Sequence, residues 1–138
     1  MNHLREAWAL RVAGSWSPKA TVPSTNFDFG SQVGQFPPDG PEGISYFKGE
    51  AGAGAGKHVD CLLYRRAGKL VGVLYHYPFD FPPYEVRGNV NVMVDPGHQR
   101  SGIGSQLLAE AEKRWPLDWQ AQSYTEEGAA LLRSHVNR

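Results

Sequence analysis

The chain has 138 residues, 41% hydrophobic and 12% aromatic, and its 14 Lys and Arg balance its 14 Asp and Glu. That length and apolar content suit one folded domain, and zero net charge argues against nucleic acid or an anionic membrane as the main partner. No stretch approaches the roughly 18 apolar residues of a membrane span, and a single cysteine, Cys61, excludes an intramolecular disulfide.

Near the start, Leu4, Ala7, Trp8 and Val12 have helical spacing and predict a short helix over 3–13. The opening residues lack a signal-peptide pattern, so a cytoplasmic location is the expectation. From Ser15 to Gly56 prolines and glycines crowd together, which predicts sparse, short regular structure. Yet Phe27, Phe29, Phe36, Ile44, Tyr46 and Phe47 lie in it, and disordered linkers are poor in aromatics. Residues 1–57 are therefore read as an irregular but packed covering segment, and 58–138 as the core of the same domain. The run Gly49–His58 invites a phosphate-loop reading, but Ala51 stands where glycine is needed and His58 where a hydroxyl is needed. It reads as a flexible turn.

Val59–Arg66 reads as a strand, Ala67-Gly68-Lys69 as a hairpin turn, and Leu70–Tyr77 as the partner strand. Phe79 to Gly88 is an aromatic, proline-bearing loop suited to a substrate lid, a core plug or an interface. Asn89–Val94 is the next strand, with Val90, Val92 and Val94 on one face. A helix then runs from about Ser101 to Trp115, where Pro116 forbids continuation. Its apolar stripe is Ile103, Leu107, Leu108, Ala111 and Trp115. Leu117–Ala121 predicts a further strand, and Thr125 caps a last helix through about His135, with Glu126 and Glu127 in its first turn.

Between strand 89–94 and the helix lies Asp95-Pro96-Gly97-His98-Gln99-Arg100-Ser101-Gly102-Ile103-Gly104. A helix start leaves backbone N–H groups unpaired and carries partial positive charge, and glycines let a bulky anion approach it. The turn is a candidate phosphate cradle, with Ser101 and Ser105 as hydroxyl donors. The spacing Val94-x-Pro96-x-x-Gln99-x-x-Gly102-x-Gly104 resembles the acyl-CoA-binding motif of the GNAT family of N-acetyltransferases. The resemblance is carried by residues 60–115 and extends, with less detail, over 116–135.

It implies an α/β fold with a mixed, mainly antiparallel sheet and flanking helices, truncated at its C-terminal end relative to the family. It implies acetyl-CoA as acyl donor, held by Met93, Val94, Gln99, Arg100, Ser101, Gly102, Ile103, Gly104 and Ser105. The pyrophosphate would lie on the turn and the pantetheine arm along the strand end, in the gap between 89–94 and 117–121. A small-molecule or protein amine would be the acceptor, attacking the thioester directly. Edge strands would come from the first segment or from a second subunit in a homodimer.

The catalytic residues are less legible. The family's base is often a glutamate on the strand before the motif, but positions 89, 91 and 93 are Asn, Asn and Met. A water chain held by Asn89 or Asn91 is one route. His76, with an ordinary pKa near 6.5, and Glu85 on the aromatic loop are others. Leu132 stands where the resemblance places a tyrosine that protonates the departing thiolate. The histidines at 3, 58, 76, 98 and 135 show no paired ligand spacing, so no metal site is expected. An N-acetyltransferase is the main reading. The alternative is a catalytically degenerate fold of the same kind serving as a binding or assembly module.

Overall fold

The computed structural model describes residues 29–50, 58–80, 87–99, 101–119, 122 and 124–136. The expected helix at 3–13, Phe27, Glu85 and Arg100 lie outside the described residues. Seven principal elements follow in order: α1 (Phe29–Val33), β1 (Gly43–Glu50), β2 (His58–Arg66), β3 (Lys69–His76), β4 (Val90–Val94), α2 (Ile103–Arg114) and α3 (Glu126–Val136). A short 3-10 turn, Pro96–His98, joins β4 to α2. The four strands form one antiparallel sheet in the order β1-β2-β3-β4.

β2 is the most deeply buried strand, with Val59 to Arg65 all buried, because both of its faces are covered. Leu62, Tyr64, Leu74 and Val90 pack against Ile103, Leu107, Leu108 and Ala111 of α2, with Ala129 and Leu132 of α3 behind them. On the opposite face Val59, Cys61, Leu63, Val73 and Met93 pack under Phe29 and Phe36. The Phe36 ring meets Phe47 edge-on at 5.4 Å between centroids, an arrangement favoured by the ring quadrupoles. Residues of the first segment thus cover one face and helices cover the other.

The β2–β3 hairpin turns through Ala67 (φ 54°) and Gly68 (φ 78°). Left-handed backbone at both central residues matches the twist of the flanking strands. The Glu42 carboxylate accepts from both turn amides, at 2.9 Å from Ala67 N and 3.4 Å from Gly68 N. Beside it, Arg65 is 98% buried, since only 2% of its surface is exposed. Its guanidinium donates to the Pro37 carbonyl at 2.6 Å and to Ser45 Oγ at 3.5 Å. Gly40 lies so close above it that an added Cβ would stand 2.2 Å from Arg65 Nη1.

Two expectations are corrected. The stretch 15–56 contains an eight-residue strand, β1, fully paired to β2 from Gly43↔Arg65 to Glu50↔His58. Conversely, residues 117–119 of the expected strand Leu117–Ala121 carry no ladder. Leu117 and Trp119 are buried, so the alternation reports burial on the helix-side core rather than sheet pairing. One bond, from the Asp118 N–H to the Gly88 carbonyl at 3.2 Å, ties this segment to the sheet.

Candidate functional site

The site begins with the outer edge of β4. The Tyr77 N–H donates to the Asn89 carbonyl at 3.0 Å, and the Asp95 N–H donates to the Val71 carbonyl at 2.8 Å. Odd-numbered peptide groups from 89 to 95 therefore face β3. Those of Val90, Val92 and Val94 face outward, since antiparallel pairing alternates along a strand. Val90 is met by a side chain: its N–H donates to Gln122 Oε1 at 2.9 Å and its carbonyl accepts from Gln122 Nε2 at 2.5 Å. At the other end Gln99 Nε2 donates to the Val94 carbonyl at 3.3 Å. Among the described residues, nothing bonds the outward N–H and carbonyl of Val92. Met93, expected to contribute to this edge, turns its peptide toward β3 and its side chain into the opposite core.

The edge runs directly into the glycine turn. Asp95 organises it: Oδ1 accepts from the Gly97 N–H at 3.2 Å, and Oδ2 lies 3.1 Å from Lys69 Nζ and 3.4 Å from His98 Nδ1. The Gly97 N–H, then the Lys69 ammonium, hold the Asp95 carboxyl below its usual range. Ser101 Oγ donates to the His98 carbonyl at 2.5 Å, so this hydroxyl is engaged within the turn.

The two motif glycines serve different ends. Gly102, the residue that opens α2, has φ 85°, and an added Cβ would meet only Gln106 Nε2, at 3.7 Å. Glycine here permits the left-handed backbone and leaves its surroundings open. Gly104 faces inward, where a Cβ would stand 3.0 Å from Leu131 Cδ1. It lets α2 and α3 approach. Ile103 and Ser105 are buried as well, so α2 presents backbone N–H groups more than side chains. A cation that sequence reasoning missed stands near: Arg66 Nη2 donates to Tyr64 Oη at 3.4 Å, and Tyr64 Oη donates to Gln106 Oε1 at 2.9 Å.

The catalytic candidates are not gathered at one point. His76 is 97% buried on the helix-side face, given 3% exposure. Its Nδ1 lies 2.8 Å from Asp60 Oδ2, and its ring stacks on Trp115 at 4.4 Å between centroids and 3° between planes. Asp60 also accepts from Tyr46 Oη at 2.6 Å and lies 3.1 Å from His58 Nε2. Burial lowers the His76 pKa, with the Asp60 hydrogen bond opposing it. Burial and the Asp60 carboxylate push the Tyr46 hydroxyl up to about 12.

Asn91 belongs to the other face: it is exposed, and its Nδ2 donates at 3.0 Å to the hydroxyl of Tyr77, which packs on the Phe36 side. Asn89 is buried, and its Oδ1 accepts no hydrogen bond among the described residues. Leu132 is buried in the helix-side core and has no ionisable group. Among the described residues no three His, Cys, Asp or Glu side chains converge as a metal site would require. No described helix is long and apolar enough to cross a membrane.

Set against known families, residues 57–135 match the one described as acetyltransferase (GNAT) domain. Neither a curated protein nor a solved structure matches the chain.

Proposed function

The chain belongs to the GNAT family of acetyltransferases, and from that premise we propose that it binds acetyl-CoA and transfers the acetyl group to an amine. The observation that carries this reading is the outward edge of β4 running into the left-handed Gly102 and the N-terminus of α2. The pyrophosphate is assigned to the backbone N–H groups around Gly102–Ser105, where the helix start favours negative charge. Arg66 stands within reach of the same turn. The pantetheine arm follows β4 away from the turn, toward Val92. There the Val92 N–H donates to the thioester carbonyl and stabilises the oxyanion formed as the neutral amine attacks. The carbon–sulfur bond then breaks and CoA leaves as thiolate. The amine proton passes to water held by Asn91 or Asn89, the Asn89 Oδ1 being buried and unbonded among the described residues, and not to His76, whose Nδ1 is held by Asp60 and whose ring is covered by Trp115.

Calorimetry with acetyl-CoA tests the binding step. Gly102→Val places a branched residue where φ is positive and should weaken affinity at least about tenfold, or about 1.4 kcal/mol. Because that backbone strains any side chain, circular dichroism must show that the variant is folded. Amide shifts on titrating the unaltered chain provide the independent readout, and they should centre on Val92 and residues 102–105. A folded Gly102→Val chain with unchanged affinity overturns the assignment. Acetyl transfer to a panel of small and peptide amines tests the activity.

A further inference from the structure

We propose that Gln122 is a stop on the acyl-donor track, restricting the donor to short acyl groups. This rests on the acyl-CoA reading above and adds to it a specificity-determining residue. The argument starts from what the Gln122 amide does. It takes both the N–H and the carbonyl of Val90, at 2.9 and 2.5 Å, as one residue of a neighbouring strand would. A single side chain thus closes the β4 edge at its first residue. Gln99 takes the Val94 carbonyl at the other end. Among the described residues, what stays open between them is the Val92 peptide and the Val94 N–H.

Length then matters. Strands rise about 3.3 Å per residue, so Val90 lies about 7 Å beyond Val92 along the edge. The Gln122 amide and van der Waals contact distance occupy roughly half of that. An acetyl group whose carbonyl meets the Val92 N–H fits, whereas a six-carbon chain extended the same way meets the amide. The stop is braced. The Asp118 N–H bonds the Gly88 carbonyl at 3.2 Å, and a Cβ on Gly88 would stand 3.2 Å from Asp118 N, so Asp118, four residues before Gln122, rests tightly on the strand entrance. Leu117 and Trp119, buried in the helix-side core, hold it from behind.

The test is calorimetry on the full chain with acetyl-CoA and with hexanoyl-CoA. The unaltered chain should prefer acetyl-CoA by at least about tenfold. Gln122→Ala should narrow that ratio by about tenfold while acetyl-CoA affinity stays within about threefold. A brace without a stopping role would lower the melting temperature and leave the ratio unmoved, and that outcome overturns the proposal. Should Gln122→Ala fail to fold, amide exchange on the unaltered chain decides. The Val90 N–H should exchange slowly in the free chain, and the Val92 N–H should be protected only when acetyl-CoA is added. Equal exchange at the two positions in the free chain overturns the stop, as does equal affinity for the two donors. If neither acyl-CoA binds, the acyl-CoA reading itself falls; if acetyl-CoA binds with the ratio unmoved by Gln122→Ala, only the stop does.

Discussion

Asp60 is buried in the helix-side face and meets Tyr46, His58 and His76 there, with Trp115 lying flat on the His76 ring. A buried carboxylate needs such partners, since an unpaired one is costly. Burial makes His76 resist protonation in the folded chain, whereas an unfolded chain takes up that proton near about pH 6.5. The unfolded state therefore binds more protons as the solution is acidified, and stability falls as pH drops below about 6.5. The melting temperature should be lower at about pH 5.5 than at about pH 8, and His76→Gln should remove part of that difference. A slope untouched by the substitution places the acid sensitivity elsewhere. The same variant separates structure from catalysis. Turnover per folded molecule should stay within about threefold, whereas a loss of about a hundredfold would identify His76 as the base.

The elements meet through glycines. At Gly72 on β3 an added Cβ would stand 2.7 Å from Ile103 Cγ2 and 3.2 Å from Leu107 Cδ1. Ile103 is fully buried and its branched methyl cannot swing aside, so Gly72→Ala must push α2 off the sheet. Overpacking of this kind costs about 1–3 kcal/mol, and chemical denaturation should read a loss in that range. A neutral Gly72→Ala would mean that α2 shifts freely, and with it the turn that α2 begins. Much of this layer was legible from sequence. The apolar run at 59–66, the β-branched and aromatic residues of 70–77, the valines of β4, the stripe from Ile103 to Ala111 and the Thr125 cap all marked elements that form. The Thr125 hydroxyl does accept from the Gly128 N–H, at 3.1 Å. β1 was hidden because Gly43-Ile-Ser-Tyr-Phe-Lys-Gly-Glu50 follows closely on Pro37, Pro38 and Pro41 and has glycines near both ends. Its strand state comes from pairing with β2, which local propensity does not report. Within the expected strand, residues 117–119 misled for the converse reason, as alternation records which residues are buried and not whether a ladder forms. The site divided likewise. Glycine spacing marked the turn, but the Asp60 cluster draws on positions 46, 58, 60 and 76, which only strand register brings together. The parity that leaves Val92 facing outward required knowing where β3 pairs.

Seen whole, the sheet is covered on one face by two helices and on the other by residues 29–36, and Arg65 is the residue by which the second cover is fastened. It is part of β2, pairing with Leu70 of β3 and Gly43 of β1, and its oxygens come from Pro37 and Ser45. The β2–β3 hairpin is a local structure and closes a short loop, so it is poised to form early. At that moment the guanidinium still lies in water. It loses its hydration only when Pro37 and Gly40 settle over it, and this closure is expected to come late on the folding path. Contacts made after the rate-limiting step govern how fast a protein comes apart and leave its rate of assembly almost alone. Arg65→Lys keeps the charge and removes the fork that spans the two oxygens. It should therefore speed unfolding several-fold with refolding nearly unchanged, as stopped-flow measurements would read. Slowed refolding would mean that the cover is already seated in the transition state. In kinetic terms, the buried guanidinium works as a latch on lifetime, fixing how long the folded chain persists once its first segment has closed.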